Sequence, residues 1–120
     1  MTAYYEEIKE LWNAGEFFSG ISYFGQYLSK GLLLQEEIEN LSKNIPKCWE
    51  LVEVQCQENA EVIFKLYEML KKARNWDDET FYRKLKISGK AIEDIKSHRR
   101  PRSKAAGLRM LYELFPQMAV

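Results

Sequence analysis

Histidine is almost missing from this chain, which holds one imidazole, His98, in 120 residues. That scarcity excludes His-rich metal sites and argues against Ser/His/Asp or Cys/His catalytic sets. Cysteine is nearly as rare. Cys48 and Cys56 cannot form a disulfide scaffold, and eight positions apart on one helical run they are too distant to bridge, so free buried thiols are expected. No apolar run approaches the roughly 20 residues of a membrane span. The most apolar segment, residues 17–34, is interrupted by Gln26, Lys30, three glycines and three serines, so no membrane association is expected. The start, MTAYYEEIKE, lacks the basic and apolar regions of a secretory signal, which makes the protein cytoplasmic by expectation. Adjacent carboxylates such as Glu6/Glu7 and Glu36/Glu37 point in different helical directions and have no visible partner. No catalytic centre, metal site or cofactor is therefore expected, and the chain reads as a non-enzyme.

Net charge is also absent, but by cancellation. Residues 1–72 carry 7 Lys/Arg against 12 Asp/Glu, and residues 73–120 carry 11 against 6. Between Arg83 and Arg109 there are ten basic residues and two acidic ones, Glu93 and Asp94. Such asymmetry suits a polyanionic partner for the basic half. What remains of the composition, 46% apolar and 30% charged, is that of a globular chain able to bury its own core.

The apolar periodicity is helical throughout. Tyr4, Tyr5, Ile8, Leu11 and Trp12 share one face, with Thr2 as N-cap and Gly15 as stop. Phe17, Ile21, Phe24 and Leu28 define a second helix ended by Gly31, and Gly20 and Gly25 weaken it unless something packs closely against them. Leu34 to Ile45 reads as a third helix, stopped at Ile45 by Pro46, which itself suits the first turn of the next. Residues 46–74 form one helix or two, with Gln57-Glu58-Asn59 as the place for a break. Asp77, Ser88 and Ser103 are the expected caps of the last helices, and Pro116 closes the final one. No segment alternates with period two. The expected fold is all-α, about six or seven helices, with a helical N-terminal segment over residues 1–58 for packing or dimerisation and a second domain over residues 59–120.

The run LYEMLKKARNWDDETFYRKLKISGKAIEDIKSHRRPRSKAAGLRMLYEL within Phe64–Phe115 resembles the helix-turn-helix domain of the lambda-repressor-like (XRE/Cro) family. Leu70, Lys71, Lys72 and Arg74 correspond to a basic first-helix end, and Trp76, Asp77, Glu79 and Phe81 to the opening of the second. Leu85, Ile87 and Ser88 match the turn, Ile92 and Ile95 the buried side of the recognition helix, and Arg100-Pro101 the loop before the last helix. Leu108, Leu111 and Leu114 match its apolar ladder. The resemblance implies a helix-turn-helix bundle that reads duplex DNA. Tyr82 stands where the family usually has a small residue, Lys86 and His98 where it usually has glycine, and Glu93 and Asp94 are acids within the recognition segment.

The residues support a nucleic-acid reading on their own chemistry. A short capped helix offers its N-terminal side chains to a major groove. Lys90 stands there, beside Ser88 and Gly89, which permit close backbone approach. Arg99, Arg100, Arg102 and Lys104 form a basic loop for phosphates, to which the following helix adds free amides. Arg83 and Lys84 flank the backbone from the preceding helix. Two functions follow as expectations. One is a DNA-binding regulatory protein, transcriptional in role, with double-stranded DNA as partner. The other is a helical protein–protein adaptor without nucleic acid. Eight of the sixteen aromatics lie in the first 40 residues, which predicts a shared surface and a homodimer.

Overall fold

The computed structural model describes residues 1–118, so the last two residues of the expected second domain lie outside the described residues. Eight α-helices follow one another: α1 (Ala3–Asn13), α2 (Phe17–Ser29), α3 (Gln35–Ser42), α4 (Ile45–Glu58), α5 (Ala60–Arg74), α6 (Asp78–Leu85), α7 (Gly89–Lys96) and α8 (Ala105–Leu114). A 3₁₀ turn at Pro116–Met118 closes the series, and no strand occurs among the described residues. The all-α expectation holds, with eight helices instead of six or seven. The extra one arises because the Asn59 side chain accepts hydrogen bonds from the Glu61 and Val62 amides and starts α5 afresh.

Most of the expected boundaries coincide with the observed ones. Thr2 Oγ1 caps α1 through the Tyr5 amide, Asp77 caps α6 and Ser88 caps α7. Gly15 and Gly31 take the left-handed backbone that ends α1 and α2. Two boundaries differ. Ile45 opens α4 and does not end α3, which stops at Ser42; proline in a first helical turn lacks only an amide that would have no intrahelical acceptor. The N-cap of α8 is Lys104, without a side-chain hydrogen bond, so Ser103 is not the cap.

The chain divides into two compact units, residues 1–52 and 53–120, with the division inside α4. In the first, α1 packs on α2, and Ile8, Trp12, Phe18, Ile21, Phe24, Leu41 and Trp49 are buried. Glu37 is also fully buried, contrary to the expectation that it had no partner. Its carboxylate accepts from the Thr2 amide at 2.7 Å, from Thr2 Oγ1 at 3.0 Å and from the Leu34 amide at 2.9 Å. Lost hydration pushes this carboxyl up, but the Leu34 and Thr2 hydrogen bonds outweigh it, and the pKa lies below the ordinary value.

In the second unit, α5 packs against α7 and α8, and α6 against both as well. Phe81 sits at the centre, 5.3 Å from the Tyr67 ring and 5.4 Å from that of Trp76. Leu66, Leu70, Ile87, Ile92, Ile95, Met110 and Leu111 complete this core. A methyl group on Gly107 would lie 1.8 Å from the Cys56 carbonyl oxygen, so α8 meets the end of α4 backbone to backbone. Cys48 and Cys56 are free and buried. Burial pushes the Cys56 thiol up to about 12, leaving it protonated and unreactive at neutral pH.

Two outcomes test this packing. Gly107→Ala loses about 2–3 kcal/mol or more of stability in urea melts, because the backbone carbonyl it meets has no rotamer to yield. Gly25→Ala, on an open part of α2 with nothing within 4 Å, gains roughly 0.5–1 kcal/mol. The second outcome concerns acid. A carboxyl whose folded pKa is depressed stabilises the fold above its unfolded value, about 4.3, and that contribution is lost as pH falls through the folded value. Glu37→Gln therefore lowers the thermal midpoint at pH 7 by several degrees, and the gap from wild type closes below about pH 4. A gap that stays constant down to pH 3 contradicts the assignment.

Candidate nucleic-acid interface

The basic residues expected to contact DNA are carried by α6, α7 and the segment joining α7 to α8. Asp77 begins this stretch. Its Oδ1 accepts from the Thr80 hydroxyl at 2.6 Å and from the Thr80 amide at 2.8 Å. These bonds, with Lys71 and Arg83 nearby, hold its carboxyl below the usual range. Lys71 also donates to the Trp76 carbonyl, which pins the end of α5 to the entry of α6. Three residues, Lys86 to Ser88, separate α6 from α7. Lys86 takes the left-handed backbone at φ 58°, and its ammonium lies 5.5 Å from the Tyr82 ring centre. Ser88 Oγ then accepts from the Ala91 amide at 3.1 Å and starts α7.

Arg83 and Lys84 are exposed in the last turn of α6. Lys90 is the second residue of α7, and its side chain is 74% exposed. Arg99, Arg100, Arg102 and Lys104 are all exposed beyond α7, around a buried Pro101. A cleft of about 480 Å³ brings Ser88, Lys90 and Arg102 together with Ala91, Asp94 and Ser103. Arg83, Lys84, Arg100 and Lys104 do not line it. Lys84 instead borders a second, open cleft with Arg109, whose Nη1 donates to the Leu85 carbonyl at 3.4 Å.

Asp94 organises the first cleft. Its Oδ1 lies 3.1 Å from Arg99 Nη2 and 3.6 Å from Lys90 Nζ, while its own side chain is only 15% exposed. Two of the expected DNA contacts, the groove-facing Lys90 and the phosphate-loop Arg99, are thus already paired. Arg83, Lys84, Arg100, Arg102 and Lys104 have no carboxylate partner at ion-pair distance among the described residues. Glu93 is exposed, likewise without an ion pair there.

His98 fixes where the basic segment begins. It is left-handed at φ 59°, its ring lies 3.9 Å from that of Phe64, and Nδ1 is 2.8 Å from Glu61 Oε1 on the first turn of α5. The sequence reading missed this anchor, and it missed Asp94 as a tether. Only the five-residue spacing of Asp94 and Arg99 and the i,i+4 spacing of Lys90 and Asp94 could have indicated the pairing. At the far end α8 has no side-chain cap, and among its first amides that of Ala106 donates to the Ser103 carbonyl at 3.4 Å.

No family model, curated protein or solved structure matches the chain. Among the described residues no helix is long and apolar enough to cross a membrane, and no three His, Cys, Asp or Glu side chains cluster as a metal site. The chain is all-α among its described residues, with a basic, partly self-paired edge on its second unit.

The pairing makes a measurable contribution to stability. Asp94→Asn is expected to destabilise the protein by roughly 0.5–1 kcal/mol in urea at low salt. Most of that difference disappears at about 1 M salt, where screening is nearly complete. A salt-independent loss would mean that Asp94 acts through packing.

Proposed function

We propose that the chain is a DNA-binding regulatory protein that uses α6 and α7 as a helix-turn-helix module. The observation that carries this reading is the set of exposed cations with no ion-pair partner among the described residues, Arg83, Lys84, Arg100, Arg102 and Lys104, around a capped α7. Left-handed Lys86 and His98 support it too, because both stand where the resembled family usually carries glycine. In this reading α7 enters the major groove with Ser88, Gly89 and Lys90 foremost. Arg100, Arg102 and Lys104 take the phosphates, beside the N-terminus of α8. Arg99 is the least available of the expected contacts, since Asp94 holds it.

A second reading, the protein adaptor, draws on α1 and α2. Tyr27 lies 4.8 Å from Tyr4 and 5.7 Å from Tyr23, with Tyr4 and Tyr23 each more than a third exposed. Such a stack suits a protein surface, including the homodimer that a two-half-site DNA reader needs.

A duplex titration at two salt concentrations decides between them. Five phosphate contacts give a slope of log affinity against log salt of about −4 to −5. Arg100→Ala and Arg102→Ala weaken binding on all sequences alike, each reducing the slope by about 1. Lys90→Ala changes the preference among sequences. Absence of binding at low salt by folded protein overturns the DNA reading and favours the adaptor.

A further inference from the structure

The first unit contains a cleft of about 160 Å³ whose chemistry differs from its surroundings. Residues 1–52 carry eight glutamates against four lysines, yet the cleft is lined by two of those lysines, Lys9 and Lys47, and by no carboxylate. Asn13 and Asn44 complete its polar rim. Trp12, Phe17 and Leu51 form its apolar wall.

Neither lysine has an ion-pair partner among the described residues. Both ammonium groups act on the Cys48 thiol, which also lines the cleft, and they pull its pKa down against the larger upward push of burial. Both lysines thus belong to the lining of one cleft. Two like charges there without a counter-ion repel each other, and an anion between them relieves that repulsion. Asn44 donates only weakly within the chain, at 3.4 Å to the Asn40 carbonyl, so its amide retains donor capacity for a ligand. The size is also informative. A cavity of about 150 Å³ is enough to hold one benzene ring.

We propose that this cleft binds a small aromatic carboxylate, with the ring against Trp12, Phe17 and Leu51 and the carboxylate between Lys9 and Lys47. A ring stacked on aromatic and aliphatic walls with a few polar groups at the rim is the usual composition of a small-molecule site. The arrangement requires one negative charge at the rim and one flat apolar body beneath it. Inorganic anions lack the second feature and neutral aromatics lack the first. The site is independent of the DNA reading, because every residue it uses belongs to α1, to the start of α2, or to the segment from Asn44 to Leu51.

The experiment is a titration of the whole protein with benzoate, followed by backbone amide chemical shifts in ¹⁵N-labelled protein. Benzoate is expected to give saturable shifts centred on residues 9, 13, 44 and 47, with a dissociation constant on the order of 1 mM. Benzamide, the neutral analogue, and inorganic phosphate should each bind at least about tenfold more weakly. Lys9→Gln with Lys47→Gln should weaken benzoate by a similar factor. The proposal is overturned if benzoate shows no saturation by about 50 mM, if the shifts lie elsewhere, or if benzamide or phosphate matches it. The benzamide and phosphate comparisons use unaltered protein, so they decide the matter even if the double variant fails to fold.

Discussion

The second unit depends on one close approach. At Gly107 the α8 backbone lies so near the Cys56 carbonyl that no side chain fits between them. A helix held at this distance cannot slide without breaking the contact, and Ala106, Met110 and Leu111 on the same helix are then fixed in the core. Tyr112 strengthens the arrangement by donating to Glu53 near the start of the unit. The position of α8 sets the position of its N-terminus, and with it the segment containing Arg100, Arg102 and Lys104. The basic edge is thus placed by a glycine that carries no charge itself.

The first unit uses a different device. There a buried carboxylate, Glu37, takes the place of an apolar contact. Its oxygens satisfy the Thr2 amide and hydroxyl as well as the Leu34 amide, and Thr2 in turn accepts from the Tyr5 amide at 3.2 Å. Two helix starts, those of α1 and α3, are locked by one side chain. Tyr5 adds a hydroxyl bond to Asn40 at 2.6 Å along the same contact. A buried acid is tolerable only where donors converge on it in this way, because an unpaired one would be expelled or protonated.

The sequence made local features legible and left distant ones hidden. Thr2, Asp77 and Ser88 were readable as caps because a cap joins a side chain to an amide two or three residues away. Gly15 and Gly31 were readable for the same reason. The burial of Glu37 was not, since Thr2, the partner that covers it, lies 35 positions distant and a glutamate at the start of an amphipathic helix normally faces water. Gly107 carries no local signal in the sequence, and only the approach of Cys56 explains it. Ser103 read as a cap by residue type, but the backbone turns one residue later and leaves Lys104 in that position. The candidate site was legible as a list of cations. It was not legible as a pattern of pairs.

That distinction changes how Asp94 bears on the proposed binding of phosphates. Counted along the sequence, an acid in α7 opposes a polyanion. In space it is one of three charges: Asp94 between Lys90 and Arg99 leaves a net single positive charge. Its oxygen also restrains the Arg99 side chain through two donors, Nε at 3.3 Å and Nη2 at 3.1 Å, so less rotamer entropy is left to lose on binding. The repulsive term is therefore short-ranged and already offset, whereas the five unpaired cations act over a Debye length of about 8 Å at physiological salt. Glu93, with no cation to compensate it among the described residues, is the acid that a phosphate backbone would meet uncancelled. Of the two acids in α7, it is Glu93 and not Asp94 that separates a DNA-reading helix from one that faces a protein.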